Sequence, residues 1–307
     1  MSANLKYQHP GVQFAVLLGL AVGMFLLSGV ITMSFFGEVA AAMTSSDTEI
    51  TDAALRQFKW AQLIGTLISF VAPALIFAYM CDERPLNYVG LKKRLDGPTF
   101  FLVMILLVAV QPFALYLGQV NQNIHFGSLH EEIKRTELFY EKAMQNFTRM
   151  RSGTDLMINL LIVGLLPAIA EELFFRGALQ NVLERWIKIP WVAIFISSLM
   201  FAFLHGTMFK LLPIFVLGVV LGTLFYVTRN LWYCVFFHFL NNSLALIVTY
   251  YAANNETLKK IAEDDVKIGA MSAGISLAVT AAFFIVIRKR IPFTPLKIPK
   301  EQEQFNI

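Results

Sequence analysis

Two adjacent carboxylates, Glu171 and Glu172, interrupt an otherwise apolar stretch, and Arg176 follows four residues after the second. Other polar side chains also stand in apolar surroundings: His205, after Phe201-Ala202-Phe203-Leu204, and His238 with Asn242 four residues on. These groups suit one kind of chemistry, attack on an amide by activated water. A carboxylate held out of bulk water can serve as general base, and an imidazole beside it can orient and help deprotonate the water. A second imidazole and a carboxamide can donate to the carbonyl oxygen as it becomes an oxyanion, each donor being worth roughly 3–4 kcal/mol. No Gly-x-Ser-x-Gly or His-Glu-x-x-His is present, so serine-hydrolase and zincin readings lose their usual support. Neither Cys81 nor Cys234 has an activating neighbour in sequence.

An acid or arginine at the middle of a spanning helix costs roughly 2.5–3.5 kcal/mol, so Glu171, Glu172 and Arg176 left bare would cost about 8–10 kcal/mol together. Helical spacing supplies one remedy, because Glu172 and Arg176 at i and i+4 are in the favourable order for an ion pair. Glu171 points about 100° away and has no charged partner on its own helix. His238 and Asn242 share a helical face. Taken singly, each residue has a structural explanation. A lone His packs against a backbone carbonyl, Asn242 serves as interhelical glue, and Glu172–Arg176 is a brace. Depth joins them. At 1.5 Å per residue, Glu171 lies about 22 Å above Trp186, His205 about 22 Å above Pro190, and His238 and Asn242 about 13 and 20 Å above Arg229. All four fall in one layer, whereas His9, His125 and His130 lie in loops or near ends and carry no role.

The elements that must hold this layer are membrane helices. Hydrophobic residues make up 57% of the 307 and charged residues only 15%, against roughly 25% charged in a soluble domain. That excludes disorder, and two cysteines exclude a disulfide scaffold. The net charge of +4 gathers beside apolar runs, which points to the lipid bilayer as partner and away from nucleic acid. Five runs are long enough to span: Val12–Met33, Trp60–Met80, Pro98–Leu117, Leu231–Tyr251 and Ile268–Ile287. Two more are Pro190–His205 and Leu211–Thr228, and one long helix from about Asp155 to Ile187 carries the carboxylates. Ala40-Ala41-Ala42 offers small residues for signal cleavage, but the first run exceeds a signal core and reads as an anchor.

The fold expected is an all-α, polytopic membrane bundle of about eight transmembrane helices with an intramembrane cavity. It divides into an N-terminal part at 1–155, a core at 156–251, and a last helix with basic tail at 252–307. Arg84, Lys92, Lys93 and Arg94, and Arg288, Lys289, Arg290, Lys297 and Lys300 in the tail, place both termini in the cytoplasm. Glu38, Asp47, Glu49 and Asp52 fall in an outer loop. Ser128 before Glu131 resembles a capping box, opening an amphipathic helix with Ile133, Tyr140, Met144 and Phe147 on one stripe, at the outer interface. Gly218 and Gly222 form a Gly-x-x-x-Gly, read as helix packing.

Three motifs now coincide. Glu171-Glu172-Leu173-Phe174-Phe175-Arg176 resembles the Glu-Glu-x-x-x-Arg of the CAAX-protease and bacteriocin-processing (CPBP, Abi) family of intramembrane proteases. Phe201–His205 resembles its Phe-x-x-x-His, and His238–Asn242 its His-x-x-x-Asn, in the family's order. The resemblance covers about Leu156 to Tyr251. It implies that Glu171 and His205 activate water, that His238 and Asn242 form the oxyanion hole, and that Glu172 with Arg176 braces the site. The implied activity is an intramembrane endopeptidase acting on a membrane-associated peptide or protein substrate, lipidated in the related prenyl proteases. Metal use stays open. Glu171, His205 and His238 are the zinc-ligand candidates, since neutral His and carboxylate bind zinc, but no short-spaced ligand pair is present and a metal-free, glutamate-dependent mechanism is favoured. The alternatives are a non-proteolytic protein of the same fold, in bacteriocin immunity or as a regulatory scaffold, and a proton-coupled transporter.

Overall fold

The long helix expected around the two carboxylates runs unbroken from Gly153 to Ile187 and is the central post of the molecule. The structure is a computed structural model that describes residues 4–37, 39, 51–91, 93–252, 255, 257–259 and 266–291. Glu38, Ala40–Ala42, Asp47, Glu49, Lys92, Lys297 and Lys300, which entered the readings above, lie outside the described residues. Among the described residues the long helices are α1 (Pro10–Phe35), α2 (Asp52–Cys81), α3 (Gly97–Gln122), α4 (His130–Phe147), α5 (Gly153–Ile187), α6 (Pro190–Leu204), α7 (Leu211–Thr228), α8 (Leu231–Ala252) and α9 (Ala270–Arg290).

Seven of them, all but α4 and α6, are long and apolar enough to cross a membrane. The chain is a polytopic helical bundle and an integral membrane protein. Its outward faces are apolar, as lipid requires: Phe25 and Val30 on α1, Phe101 and Val108 on α3, and Met271 on α9 are all exposed. From Glu172 to Arg185 α5 is buried on every side, with Phe175, Ala178 and Val182 packed among residues of α2, α7 and α8. A helix that buries all its faces must be apolar or internally paired throughout.

The sixth apolar run differs from expectation. Helix α6 has only 15 residues, about 22 Å, and so stops short of the roughly 30 Å of hydrocarbon. His205 is its C-cap, and Gly206 follows at a φ of 69°. The Gly206 amide turns back to the Phe203 carbonyl at 3.0 Å. This is the left-handed turn that ends helices and that glycine adopts without strain. The histidine therefore stands at a helix end inside the membrane layer.

Local irregularities have local causes. Pro73 and Pro167 lack a donor and crowd the preceding turn. Directly before them α2 and α5 widen into π-helical turns, at Leu67–Val71 and Leu160–Leu165. A third π turn, Leu173–Gln180, has no proline, begins just after Glu172 and carries Arg176. Such turns re-aim side chains and recur at functional sites.

The amphipathic helix forms, but two details of it differ from expectation. Ser128 does not cap it. Gly127 opens a tight 3-10 turn at a φ of 57° that takes in Ser128, and the helix begins after Leu129 with no side-chain cap. A capping box appears instead at α5, where Ser152 and Asp155 exchange side-chain and backbone bonds. The packed stripe is also rotated. Ala143 and Phe147 are buried while Tyr140 and Met144 are exposed, because α4 docks by stacking Phe147 on Phe58 of α2, ring centroids 4.2 Å apart.

Gly218 and Gly222 do serve close packing. A Cβ on Gly218 would lie 3.0 Å from the Ser198 Cβ, and one on Gly222 would lie 3.0 Å from Gln180 and Ile194. Gly218→Leu is expected to destabilise the bundle by about 1–3 kcal/mol through overpacking. Thermal unfolding in detergent measures it, and an unchanged midpoint would contradict the close approach of α6 and α7.

One end of the bundle gathers the basic loops. Asp96 caps α3 and meets Arg290 of α9 at 3.1 Å. The Thr99 hydroxyl and the Arg290 guanidinium hold its carboxyl down at about 2, so it stays ionised at neutral pH. Burial, with Arg229 nearby, lowers Lys93. At the same end Glu184 pairs with Arg229 at 2.6 Å and accepts from Gln180 at 2.8 Å.

Candidate active site

Three helices converge on Glu171. Its Oε2 lies 3.9 Å from Nε2 of His205 at the end of α6, and 3.9 Å from Nε2 of His238 on α8. The expectation that residues 67 positions apart share one layer is thus met to within a side chain's reach. Glu171 Oε2 is buried and has no hydrogen-bond partner among the described residues. Glu171 is 17% exposed and His205 31%, whereas Glu172 and Arg176 are shut away at 0% and 1%. The two adjacent carboxylates are separated by burial as well as by rotation.

The brace is as the spacing implies, with an added member. Arg176 donates to Glu172 Oε1 at 3.1 Å and to the Gly218 carbonyl at 3.1 Å. His238 Nδ1 lies 2.9 Å from that same Glu172 oxygen. Glu172 therefore orients the imidazole that faces Glu171. A buried ion pair is favourable only when further hydrogen bonds satisfy its atoms; here the Gly218 carbonyl and the imidazole supply two, while Glu172 Oε2 and Arg176 Nε have no hydrogen-bond partner among the described residues.

Both imidazoles are fixed through Nδ1. His205 Nδ1 is 2.8 Å from the Phe201 carbonyl, which can only accept, so this nitrogen carries hydrogen. His238 Nδ1 faces a carboxylate already paired with arginine, and donates to it by the same reasoning. In the neutral rings both Nε2 atoms then present lone pairs towards Glu171. Three acceptors surrounding one point constitute a place for a proton donor.

Asn242 lies one turn beyond His238 on the same face, half-buried, and makes no hydrogen bond with the other site residues. Its neighbour Asn241 accepts from Gln111 of α3 at 3.1 Å. Phe201 has no reactive group yet touches most of the set. Its carbonyl holds His205, its ring meets the His205 and His238 rings at 4.5 and 5.8 Å, and the Arg176 guanidinium lies 4.5 Å from its centroid. Its spacing four residues before His205 is the available sequence signal. Cys81 and Cys234 are buried free thiols.

A cleft of about 250 Å³ between α1 and α2 is lined by Thr32, Phe58, Gln62, Thr66, Ser69 and Phe70. The Phe70 ring packs on Phe174 and Phe175, beside the carboxylates. Zinc would need ligand atoms drawn to about 2.0–2.2 Å from one point. Among the described residues no group of three or more His, Cys, Asp or Glu is so arranged.

Residues 153–244 match a family model described as Type II CAAX prenyl endopeptidase, Rce1-like. No curated protein and no solved structure matches the chain. The matched segment begins where α5 begins and ends on α8 just past Asn242, so it takes in all three motifs and every residue around Glu171. Through this segment, 92 of the 307 residues, the chain is similar to the Rce1-like CAAX proteases that its motifs resemble.

Proposed function

We propose that the protein is an intramembrane endopeptidase that hydrolyses a peptide bond in a membrane-associated substrate, with Glu171 as general base. The observation that carries this reading is the Glu171 carboxylate, whose buried Oε2 lies 3.9 Å from Nε2 of each of two imidazoles on two other helices and has no hydrogen-bond partner among the described residues. The family match supports the reaction class. A polar pair separated by more than 3.5 Å invites a bridging water. Water held there donates its hydrogens towards Glu171 and His205, which raises the electron density on its oxygen.

That oxygen attacks the substrate carbonyl carbon as its proton passes to Glu171. The carbonyl π pair moves to oxygen, giving a tetrahedral oxyanion. Asn242 can donate to this oxyanion through its amide. His238 can donate only as imidazolium, because its Nδ1 hydrogen is committed to Glu172. Collapse re-forms the carbonyl and breaks the C–N bond, and the amine leaves with the proton returned by Glu171. The products are a carboxylic acid and an amine, with water consumed. By the positive-inside rule the basic end formed by the 84–96 loop and Arg290 faces the cytoplasm.

Comparing membrane peptides in cells carrying wild-type protein or Glu171→Gln tests the reading. Peptides cleaved only by the wild type support it, and identical peptide profiles overturn it. Hydrolysis is also expected to survive a strong chelator, with purified protein holding far less than one zinc per chain. Activity lost on chelation and restored by zinc would replace the Glu/His water activation with a metal-centred one.

A further inference from the structure

Helix α4 reaches back to the turn that follows His205. We propose that Glu137 of α4 is a positioning residue for His205, acting through the six-residue link between α6 and α7. The inference rests on His205 belonging to the reacting set.

The link is short and fastened on two sides. The Glu137 carboxylate accepts from the successive amides of Met208 and Phe209, the latter at 3.1 Å. From α3, the buried Asn121 donates to the Met208 carbonyl at 2.8 Å and accepts from the Leu212 amide at 2.7 Å. Thr207 adds a local bond, its hydroxyl accepting from the Lys210 amide at 3.1 Å. The Phe209 ring meets Phe126 and His130 edge-on at 5.4 and 5.5 Å. Consecutive amides at the entry to a helix form a concavity suited to an anion, and the positive end of α7 reinforces the preference. Here the anion is the protein's own side chain, brought from 71 residues upstream.

Fixing Met208 and Phe209 fixes the exit of the chain from His205. His205 caps α6, and among the described residues its side chain has one hydrogen bond, from Nδ1 to the Phe201 carbonyl. Gly206, at a φ of 69° with open space where a Cβ would go, has no side chain to pack the turn in place. Phe201 holds the ring of His205 locally, and the clasp from α4 holds the chain that leaves it, so that Nε2 stays 3.9 Å from Glu171. Glu141, one turn further along α4, is a natural control. It lies 3.9 Å from Lys210 with both side chains about half exposed, and an exposed pair of this kind contributes little.

The test uses the full-length protein in detergent and reads carbethoxylation of each histidine by diethyl pyrocarbonate, quantified by peptide mass spectrometry. Glu137→Ala is expected to raise the His205 rate several-fold and to leave the buried His238 unchanged. Glu141→Gln should match the wild type at both. An unchanged His205 rate in Glu137→Ala overturns the proposal, as does an equal rise in Glu141→Gln. If His238 also accelerates, the alanine variant has loosened globally. Glu137→Gln, which keeps one acceptor oxygen, then decides: faster His205 alone supports the clasp, and wild-type behaviour refutes it. On a peptide cleaved by wild-type protein, Glu137→Ala should lower kcat about ten- to a hundredfold, as a displaced catalytic group does, with KM nearly unchanged. Cleavage persisting in Glu171→Gln removes the hydrolytic reading and leaves the modification result standing. Unchanged His205 reactivity with Glu171→Gln inactive removes only the role of Glu137.

Discussion

Replacing Glu171 by glutamine is expected to slow peptide-bond hydrolysis by about 10²–10⁴-fold, the contribution of a well-placed general base, while the protein stays folded and inserted. Glutamine has the shape of glutamate but cannot take a proton from water at neutral pH. The expectation of an intact fold follows from the surroundings of Glu171. Its Oε2 has no hydrogen-bond partner among the described residues, so neutralisation leaves no donor stranded. It also removes a charge from the membrane interior, which lowers the cost of insertion. His205→Ala should fall in the same range, because it deletes the second group facing the water. Cleavage of a membrane peptide, followed by mass spectrometry in both variants, measures the effect. Full activity in both would sink the hydrolytic assignment and leave a scaffold or a transporter of the same fold.

Arg176→Ala should instead act on stability. The guanidinium is 1% exposed and the Glu172 carboxylate 0%. Removing Arg176 strands the carboxylate with His238 as its remaining partner, and breaking a buried pair in this way costs about 3–5 kcal/mol. The Gly218 carbonyl also loses its donor, and the Phe201 ring loses the cation beside it. A lowered unfolding midpoint in detergent is the expected readout, together with lost activity. The double variant Glu172→Gln, Arg176→Met should recover part of the stability, because no uncompensated charge remains. It should stay impaired in hydrolysis, because His238 has lost the carboxylate that holds its Nδ1. An unchanged midpoint in Arg176→Ala would refute the brace, and full activity in the double variant would refute the orienting role of Glu172.

The two variants together separate functions that adjacent positions combine. Glu171 and Glu172 differ by one residue and about 100°, yet one faces two free imidazole nitrogens and the other is neutralised. A swap of effects between them, with Glu172→Gln inactive but stable and Glu171→Gln unstable, would invert the assignment.

Much of this arrangement follows from local periodicity. Apolar length set the spanning helices, i to i+4 spacing paired Glu172 with Arg176, and a count of rises put Glu171, His205 and His238 in one layer. These features depend on backbone geometry that is the same in every helix, so a string of residues suffices to read them. The amphipathic character of α4 was legible for the same reason, but the side it packs was not: Tyr140 and Met144 are exposed. Ser128 looked like a cap and is part of a turn, because Gly127 at a φ of 57° redirected the chain.

Only the tertiary structure decided the rest. It ended α6 within the membrane layer, so that a helix end presents His205. It placed His238 on Glu172 through Nδ1, which determines what Nε2 can do. It carried Glu137 across 71 residues to the amides beyond His205. Such relations join atoms whose separation along the chain carries no fixed geometry. Composition and spacing therefore determined a membrane bundle with an ionisable layer, and packing decided which proton each of its side chains can give or take.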